Sequence, residues 1–514
     1  MTAQRPETAE TIIIGAGSAE CVIARRLVDA GRPVTLIEAG SDDANPHIDH
    51  LSTLGMLWHS DQDWDYYTTP QPGAAGRRIH LPRGRVMGGS HALNAGIWVR
   101  GDRWDYDTWS HELGCEGWSW EEVLPVFRKI ENYDGGASGT RGGEGPLDVV
   151  VDFPRNPLME DLVEACRETG LPLNPDYNSG TVDGVSRMQL TIRDGHRFNT
   201  WRAYLKPIVG DPRLSILTDV QVRRILFEGR RAVGVEVEGA DGVRELSAER
   251  VVLAAGALNS PEILLRSGVG PGEELREVGI EPVHDLPGVG RNLHDHLLSP
   301  VVYTTEGAPV PAGEVTVAEV HFFDRSDPGL PAPDTQPIFF SVPMYAENAQ
   351  PPQEPVAENG FTLQGGLVRP HSRGQVRLTG PAPDDPIGID LGALQDQRDV
   401  DALVASVRQC RAIGRAEALS AWAPRELYPG PDVADEDLED YVRGSVVTYH
   451  HQVGTCRMGR DEEAVVDPST FAVYGTDGLF VADASIIPQV PTGNTNAPSV
   501  MIGERAASAL VDSP

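Results

Sequence analysis

The first forty residues alternate between apolar runs and polar turns in a pattern that predicts a β-α-β unit. Residues 11–14 form a short β-branched run that opens into a turn containing Gly15 and Gly17. An amphipathic stretch from about residue 21 to residue 30 predicts a helix, and a second apolar run at residues 34–37 predicts a strand. Such a turn directs backbone N–H groups and the positive end of a helix dipole at one point, which suits a diphosphate group.

Periodic segments further along the chain predict two domains. Residues 41–101 are rich in glycine, proline and aromatic residues, as expected of loops that wrap a ligand. We expect strands at residues 220–237 and 244–253 with a turn at 238–242. Residues 300–373 should contain strands mixed with the proline-rich stretches 331–337 and 351–355. Further on we expect a helix at 400–413, a strand at 479–481 and a helix from about 499 to 511. We expect the chain to return to its first unit at its end, so we predict a discontinuous cofactor domain (1–155, 195–300 and 440–514) and a substrate-binding domain (156–194 and 301–439).

Composition excludes several classes of partner. A formal net charge of -33 over 514 residues would be repelled by nucleic acid and by anionic membrane surfaces. Every apolar run falls short of the roughly 20 residues that a membrane helix needs, and the first ten residues lack the apolar core of a signal peptide. The five cysteines are scattered without metal-ligand spacing. We therefore expect no metal site and a reduced, cytoplasmic setting.

One residue departs from the dinucleotide-binding pattern. Gly15 permits the tight turn, Gly17 lets a diphosphate approach the backbone, and Glu38, about 20 residues further on, is placed to bind a ribose hydroxyl pair. The third glycine of the fingerprint, which lets the helix pack closely on the strand, is replaced by Glu20. We expect this side chain to tilt outward into solvent. The alternative is that it lies near the diphosphate and weakens or abolishes cofactor binding.

Three further motifs follow the N-terminal fingerprint in order. They are residues 84–90 continuing to Asn94 and Gly101, residues 256–261 continuing to 267–270, and residues 451–459 with Asp483 and 493–498 beyond them. With these four motifs the chain resembles the glucose-methanol-choline (GMC) family of flavoprotein oxidoreductases over nearly its whole length. The resemblance implies a mixed α/β fold, with a Rossmann-like FAD-binding domain and a substrate domain built on a β-sheet flanked by helices.

The resemblance also implies an FAD site assembled from all four motifs. Its expected members are Gly15, Gly17, Ser18, Ala19, Glu38, Ala39, Trp64, Arg85, Val86, Gly88, Gly89, Ser90, Asn94, Ala95, Gly96, Ile97, Val222, Ala255, Gly256, Asp483, Ala484, Asn494, Thr495 and Asn496. Residues 496–498 are expected to precede the last helix, whose dipole would face the flavin. The position of the covalent flavin–histidine bond of some members is Leu93 here, so we expect non-covalent FAD. We expect His91 to be a packed or flavin-edge residue.

Alcohol oxidation by a flavin needs a base for the hydroxyl proton and a donor that holds the oxygen. In the family, the histidine three residues before the Gly-Thr pair of the last motif faces flavin N5, which implies His451 as the base. The partner position is Asn494, whose neutral amide can hydrogen-bond the oxygen without competing for the proton. Hydride would pass from the substrate carbon to N5. We expect the neighbouring His450 to line the pocket.

The resemblance therefore implies oxidation of a small primary or secondary alcohol to an aldehyde or ketone, with oxygen or another compound as electron acceptor. The motifs look most similar to those of bacterial aryl-alcohol oxidases, with choline dehydrogenase-like members near. Two alternatives stay open: a non-redox lyase on the same scaffold, and a homologue that has lost FAD because of Glu20. The substrate and the oligomeric state cannot be read from these motifs.

Overall fold

A computed structural model describes residues 8–346 and 359–512 of the chain. The proline-rich stretch predicted at residues 351–355 lies outside the described residues. The α-helices in the described part of the chain are α1 Ser18–Asp29, α2 Arg103–His111, α3 Trp120–Ile130, α4 Pro157–Glu168, α5 Gly256–Arg266, α6 Gly272–Glu277, α7 Gln397–Ile413, α8 Leu438–Ser445 and α9 Asn496–Asp512.

The strands fall into two large sheets and several two-stranded ribbons. They are β1 Thr8–Ile14, β2 Val34–Ile37, β3 Tyr66–Tyr67, β4 His80–Leu81, β5 Glu131–Tyr133, β6 Leu147–Val149, β7 Gly184–Arg187, β8 Ile192–Arg193, β9 His196–Arg197, β10 Leu214–Leu217, β11 Gln221–Glu228, β12 Arg231–Gly239, β13 Gly242–Leu253, β14 Val269–Gly270, β15 His284–Asp285, β16 Leu297–Thr305, β17 Ala318–Phe323, β18 Ile338–Phe340, β19 Gly360–Leu367, β20 Gln375–Leu378, β21 Ile387–Asp390, β22 Pro424–Tyr428, β23 Val447–Thr448 and β24 Leu479–Val481.

The first large sheet contains the N-terminal β-α-β unit. Its strand order is β10-β2-β1-β13-β12-β11, and β24 also pairs with β13. Strands β10, β2, β1, β13 and β24 run parallel, whereas β11, β12 and β13 form an antiparallel meander. In the centre, Ile12 and Ile13 lie opposite Val251 and Val252, and all four side chains are fully buried. The carboxyl ends of the parallel strands share one edge, where ligands bind in open α/β sheets.

The last helix returns to the first sheet and packs on α1. An ideal Cβ on Gly503 would lie 2.7 Å from the carbonyl oxygen of Ala19, so only glycine allows the two helices to come this close. Arg26 of α1 and Glu504 of α9 form an ion pair with 2.6 Å between the nearest nitrogen and oxygen. Together with β24, this helix joins the end of the chain to its beginning.

The second large sheet is antiparallel, with the order β22-β16-β19-β18-β17-β7 and with β23 paired to β16. Helix α7 packs closely on β19: an ideal Cβ on Gly365 of the strand would lie only 3.0 Å from the side chain of Val407 of the helix. A separate apolar core lies between this sheet and its helices. The two sheets with their helices confirm the expected mixed α/β class.

Most predicted elements are confirmed, and two details are wrong. The strands at residues 34–37 and 479–481 have the predicted bounds, and the predicted helices correspond to α1, α7 and α9 within a few residues. The segment 220–237 is not one strand but β11 and β12, joined by a turn at Gly229 with a φ of +62°. Residues 496–498 form the first turn of α9 rather than preceding it. Among the described residues, no helix is both long and apolar enough to span a membrane.

Candidate active site

A large cavity opens at the carboxyl ends of β1, β2, β13 and β24 and extends along the second sheet. His451 lies on its wall. The predicted FAD-site residues that also line it are Gly15, Gly17, Ser18, Ala19, Glu38, Ala39, Trp64, Gly89, Ser90, Asn94, Ala95, Ile97, Val222, Ala255, Gly256, Asp483, Ala484, Asn494, Thr495 and Asn496. The predicted residues outside the lining are Arg85, Val86, Gly88 and Gly96.

The predicted FAD-site residues outside the lining pack behind the residues that form the cavity wall. Val86 is fully buried in a small apolar cluster. The guanidinium group of Arg85 lies over the ring of Trp64, 5.0 Å from its centroid. The backbone N–H of Gly88 donates to the carbonyl of Ala16 at 2.8 Å, which ties the loop to the dinucleotide turn. Their positions follow from packing and not from contact with the cavity.

The glycine-rich turn has the geometry that a dinucleotide site requires. Gly15 has a φ of +103°, a conformation that favours glycine. The carboxylate of Glu38 accepts hydrogen bonds from the backbone N–H groups of Ala16 at 2.9 Å and Gly40 at 2.8 Å. Burial raises the pKa of Glu38 to about 7, although these N–H groups oppose the shift. The acid is thereby held at the end of β2, beside the turn.

The second motif, residues 84–90, which the family resemblance assigns as a flavin-wrapping loop, and the start of α5 leave room for a planar ligand. An ideal Cβ on Gly89 would lie 2.7 Å from the Cα of Gly17, so the loop and the dinucleotide turn are in direct backbone contact. A Cβ on Gly256 would meet no atom of the described chain within 4 Å, because that residue faces the cavity. These features fit FAD, whose diphosphate and ring system both need close approach to backbone.

The expectation that Glu20 points into solvent is wrong. Its side chain is only 4% exposed. Ideal Cβ atoms on Gly15 and Gly17 would lie 3.0 and 3.1 Å from its carboxyl oxygens, so the carboxyl group rests against both glycines. The reason is that α1 begins at Ser18, which places residue 20 in the first helical turn on the face that packs on the cofactor turn.

The structure brings the two predicted catalytic residues together. His451 follows β23 and is 8% exposed at the cavity wall. Its Nε2 atom lies 3.1 Å from the Nδ2 atom of Asn494. Its Nδ1 atom lies 2.9 Å from the Nδ1 atom of His296. Both ring nitrogens therefore have a defined neighbour.

The hydrogen bonds around this pair determine which ring nitrogen carries the proton. Gln336 Nε2 donates to Asn494 Oδ1 at 3.2 Å, so the amide nitrogen of Asn494 is the atom that faces His451. Because that nitrogen is a donor, Nε2 of His451 accepts, and its Nδ1–H donates to His296. The lone pair at Nε2 consequently faces Asn494, which lines the same cavity.

The surroundings of His451 keep its imidazole neutral. Burial holds the pKa of His451 well below its ordinary value, and His296, His450 and Arg83 lower it further. A neutral imidazole can accept a proton, which a protonated one cannot. The imidazole of His451 is thus in the form that can accept a proton at neutral pH.

Asp295, which the sequence analysis missed, fixes the segment that carries His451. Its buried carboxylate accepts the backbone N–H of His451 at 2.7 Å and also accepts from the Thr448 hydroxyl and the Gln452 amide. Burial raises the pKa of Asp295 to about 6 against the effect of these donors. A signal was available, because an aspartate between two histidines directly precedes the buried strand β16.

Two other histidines are distinguished by position. His450 lines the cavity, with its ring 5.3 Å from that of Trp58. His91 is fully buried outside the lining, where its Nε2 lies 3.0 Å from the Thr191 hydroxyl. Leu93, at the position of the family's covalent attachment, lines the cavity and offers no nucleophile.

Comparison with known proteins identifies the family of this chain. Two family models described as GMC oxidoreductase match residues 9–298 and 370–503. The chain belongs to the GMC oxidoreductase family. Mitochondrial choline dehydrogenase of Mus musculus is 37% identical over 98% of this chain and 89% of its own length. Pyridoxine 4-oxidase of Microbacterium luteolum is 36% identical over 96% of this chain and 98% of its own length.

A solved structure shows the same fold across the whole chain. The crystal structure of pyridoxine 4-oxidase from Mesorbium loti superposes with a TM-score of 0.93 at 37% identity, covering 98% of this chain and 99% of that one. This GMC chain is accordingly an FAD-dependent oxidoreductase that acts on the CH–OH group of alcohols. These relatives are redox enzymes by name, so they give no support to the lyase alternative or to a chain without FAD.

Proposed function

We propose that this GMC oxidoreductase oxidises a primary alcohol attached to an uncharged aromatic ring, with His451 as the base and Asn494 as the donor to the alcohol oxygen. The observation that supports this assignment is the 3.1 Å contact between His451 Nε2 and Asn494 Nδ2 on the wall of the FAD cavity. An alcohol oxygen in the cavity beside this contact would take the N–H of Asn494 from the Nε2 lone pair, accept its hydrogen bond and give its own proton to the imidazole.

Bound FAD supplies the hydride acceptor, its N5 atom. The chain supplies the proton acceptor and its orientation. His451 takes the hydroxyl proton at Nε2, and the resulting imidazolium keeps its Nδ1–H on His296. Asn494 is held by Gln336, so its amide group stays directed at the same point during the transfer. The substrate carbon can then lose hydride as the oxygen loses its proton.

The wall around His451 favours an uncharged ring over a cation. The ring of Tyr449 stacks on that of His451, the ring of Trp58 lies against that of His450, and Phe340 lines the same cavity. Among the described residues that line the cavity, the carboxyl groups are those of Glu20, Glu38, Glu262 and Asp483, all from the segments around the cofactor turn and α5. The lining segments of the second sheet and residues 447–452 provide none. A quaternary ammonium group near His451 would therefore have no carboxylate in the lining beside it, and only the aromatic faces would attract it.

The similarity to two pyridoxine 4-oxidases is consistent with this substrate class, because pyridoxine carries its hydroxymethyl group on an aromatic ring. The similarity to choline dehydrogenase makes choline the second candidate. The electron acceptor is oxygen or another oxidant.

The remaining assignments extend the same proposal. We propose non-covalent FAD, supported by leucine at position 93, and a reduced cytoplasmic setting, supported by five buried free cysteines. We also propose the domain division at residues 1–155, 195–300 and 440–514 against 156–194 and 301–439. The strand β16 crosses the boundary at residue 300, so this division follows the two sheets only approximately.

The substrate assignment is tested by anaerobic flavin bleaching with an alcohol panel. The panel contains pyridoxine, 4-methoxybenzyl alcohol, cyclohexylmethanol as a non-aromatic control of similar size, and choline. The two aromatic alcohols should bleach the flavin fastest, and the Trp58→Leu variant should lose the preference over cyclohexylmethanol. Faster bleaching by choline would overturn the proposed substrate class. Peroxide formation in air then distinguishes oxygen from other acceptors.

A further inference from the structure

The cofactor turn of this chain contains a buried acid that the dinucleotide pattern does not call for. Glu20 stands where the fingerprint has its third glycine, and its side chain is 4% exposed. Its carboxyl oxygens lie 3.0 and 3.1 Å from the ideal Cβ positions of Gly15 and Gly17. Those two glycines border the space where a diphosphate approaches the helix N-terminus. The acid would therefore lie beside the phosphate groups of bound FAD.

The charges around Glu20 are mostly of its own sign. Asp483, after β24, and Glu38, after β2, both raise its pKa, although burial is the larger cause. The thiol of Cys21 adjoins it within α1. The backbone N–H groups of Ala19 and Glu20 itself act in the opposite direction and favour the ionised form. An ionised Glu20 would thus be repelled by Glu38, at the end of β2, and by Asp483 even without FAD.

We propose that the diphosphate site of this chain binds FAD together with one proton, which is carried by the carboxyl group of Glu20. In this form the site has a neutral hydrogen-bond donor next to the diphosphate in place of a third negative group. The proposal rests on FAD as the cofactor and does not depend on which alcohol is oxidised or on His451.

The sign of the pH dependence follows from linkage. Two phosphate charges disfavour the ionised acid, so Glu20 holds its proton more tightly in the FAD complex than in the free chain. The contribution of this proton to affinity is complete below the pKa of Glu20 in the free chain. It is lost as the pH rises from that value to the higher pKa of Glu20 in the FAD complex, and over this range the dissociation constant increases by up to about tenfold per pH unit.

The test compares FAD dissociation constants of the deflavinated full-length protein with those of Glu20→Gln and Glu20→Gly variants. Quenching of free-FAD fluorescence gives the constants from pH 6 to pH 9.5. The glutamine variant keeps the shape without the charge, and the glycine variant restores the fingerprint. Other acids such as Glu38 and Asp483 titrate in all three proteins, so the difference between the curves isolates Glu20. Calorimetry in two buffers of unlike ionisation enthalpy counts the protons taken up.

We expect the dissociation constant of the natural chain to rise more steeply with pH than that of either variant. At pH 9.5 the ratio to Glu20→Gln should exceed about tenfold, which corresponds to one pH unit of linkage. Calorimetry should show that the natural chain takes up more protons on binding FAD than either variant does, with one proton as the upper limit of the difference. Parallel curves and equal proton numbers would overturn the proposal. Failure of all three proteins to bind FAD would instead contradict the cofactor assignment itself.

Discussion

Substituting alanine for Gly89 should separate the flavin-wrapping loop from the dinucleotide turn. Gly89 has a φ of +53°, and an ideal Cβ there would lie 2.7 Å from the Cα of Gly17. Gly31, just after α1, offers a matched control, because its φ is +82° and a Cβ would meet no described atom within 4 Å. Both substitutions force alanine into the left-handed region, and only the first also creates a collision.

The expected magnitudes follow from these two terms. The left-handed conformation costs an L-residue about 1–2 kcal/mol, and both variants bear this cost. At Gly89 the added carbon also lies well inside the optimal separation of about 3.5–4.0 Å for two carbon atoms. Because the opposing atom belongs to backbone, the loop must move, and overpacking of this kind costs about 1–3 kcal/mol more. Gly89→Ala should therefore lose about 2–5 kcal/mol of unfolding free energy.

Urea unfolding of both variants measures these losses, and the ratio of flavin to protein absorbance measures FAD content. Gly89→Ala should lose stability beyond the control and should also retain less FAD. Gly31→Ala should keep its full FAD content. Equal losses of stability with unchanged FAD content in both variants would refute the inferred contact between loop and turn.

Three further predictions concern buried charge and protonation. Glu131→Gln should cost about 3–5 kcal/mol in urea unfolding, because it leaves the buried guanidinium groups of Arg100 and Arg141 without their shared carboxylate; a loss under 1 kcal/mol would contradict this. Asp295→Ala should lower the free energy of unfolding by about 1–3 kcal/mol for each buried donor left unsatisfied, and it should also slow flavin reduction. An unchanged rate of flavin reduction would show that His451 is positioned without Asp295. Since the pKa of His451 is lowered, the rate constant of flavin reduction should stay level from pH 8 to 6.5, whereas an ordinary histidine would have lost half of its base form.

How far the sequence could predict this molecule depended on the range of the interactions involved. The strand at residues 34–37 was predictable because local apolar runs and glycines determine it. The turn at Gly229 was missed because a single glycine inside a strand pattern is also compatible with a bulge. The burial of Glu20 could not be inferred, since a carboxyl group is ordinarily excluded from such a position.

The candidate active site shows the same limit. His451 and Asn494 were predictable from motifs, but Asp295 and Gln336 act on them from 156 and 158 residues away. Pairing of β16 with β23 brings Asp295 to the turn that holds His451. Gln336 directly precedes β18, which is held in the second sheet by its pairing with β19. Contacts of this kind depend on sheet pairing, which one sequence does not reveal.

The most direct test of the account is the rate of anaerobic flavin reduction in the His451→Ala variant, measured by stopped flow at saturating 4-methoxybenzyl alcohol. The variant should bind FAD normally and reduce it about 10²–10⁴-fold more slowly, because a positioned base contributes that much. His450→Gln, which removes the adjacent imidazole from the same wall, should retain most of the rate. A His451→Ala variant that reduces its bound FAD at the natural rate would contradict the assignment of the base.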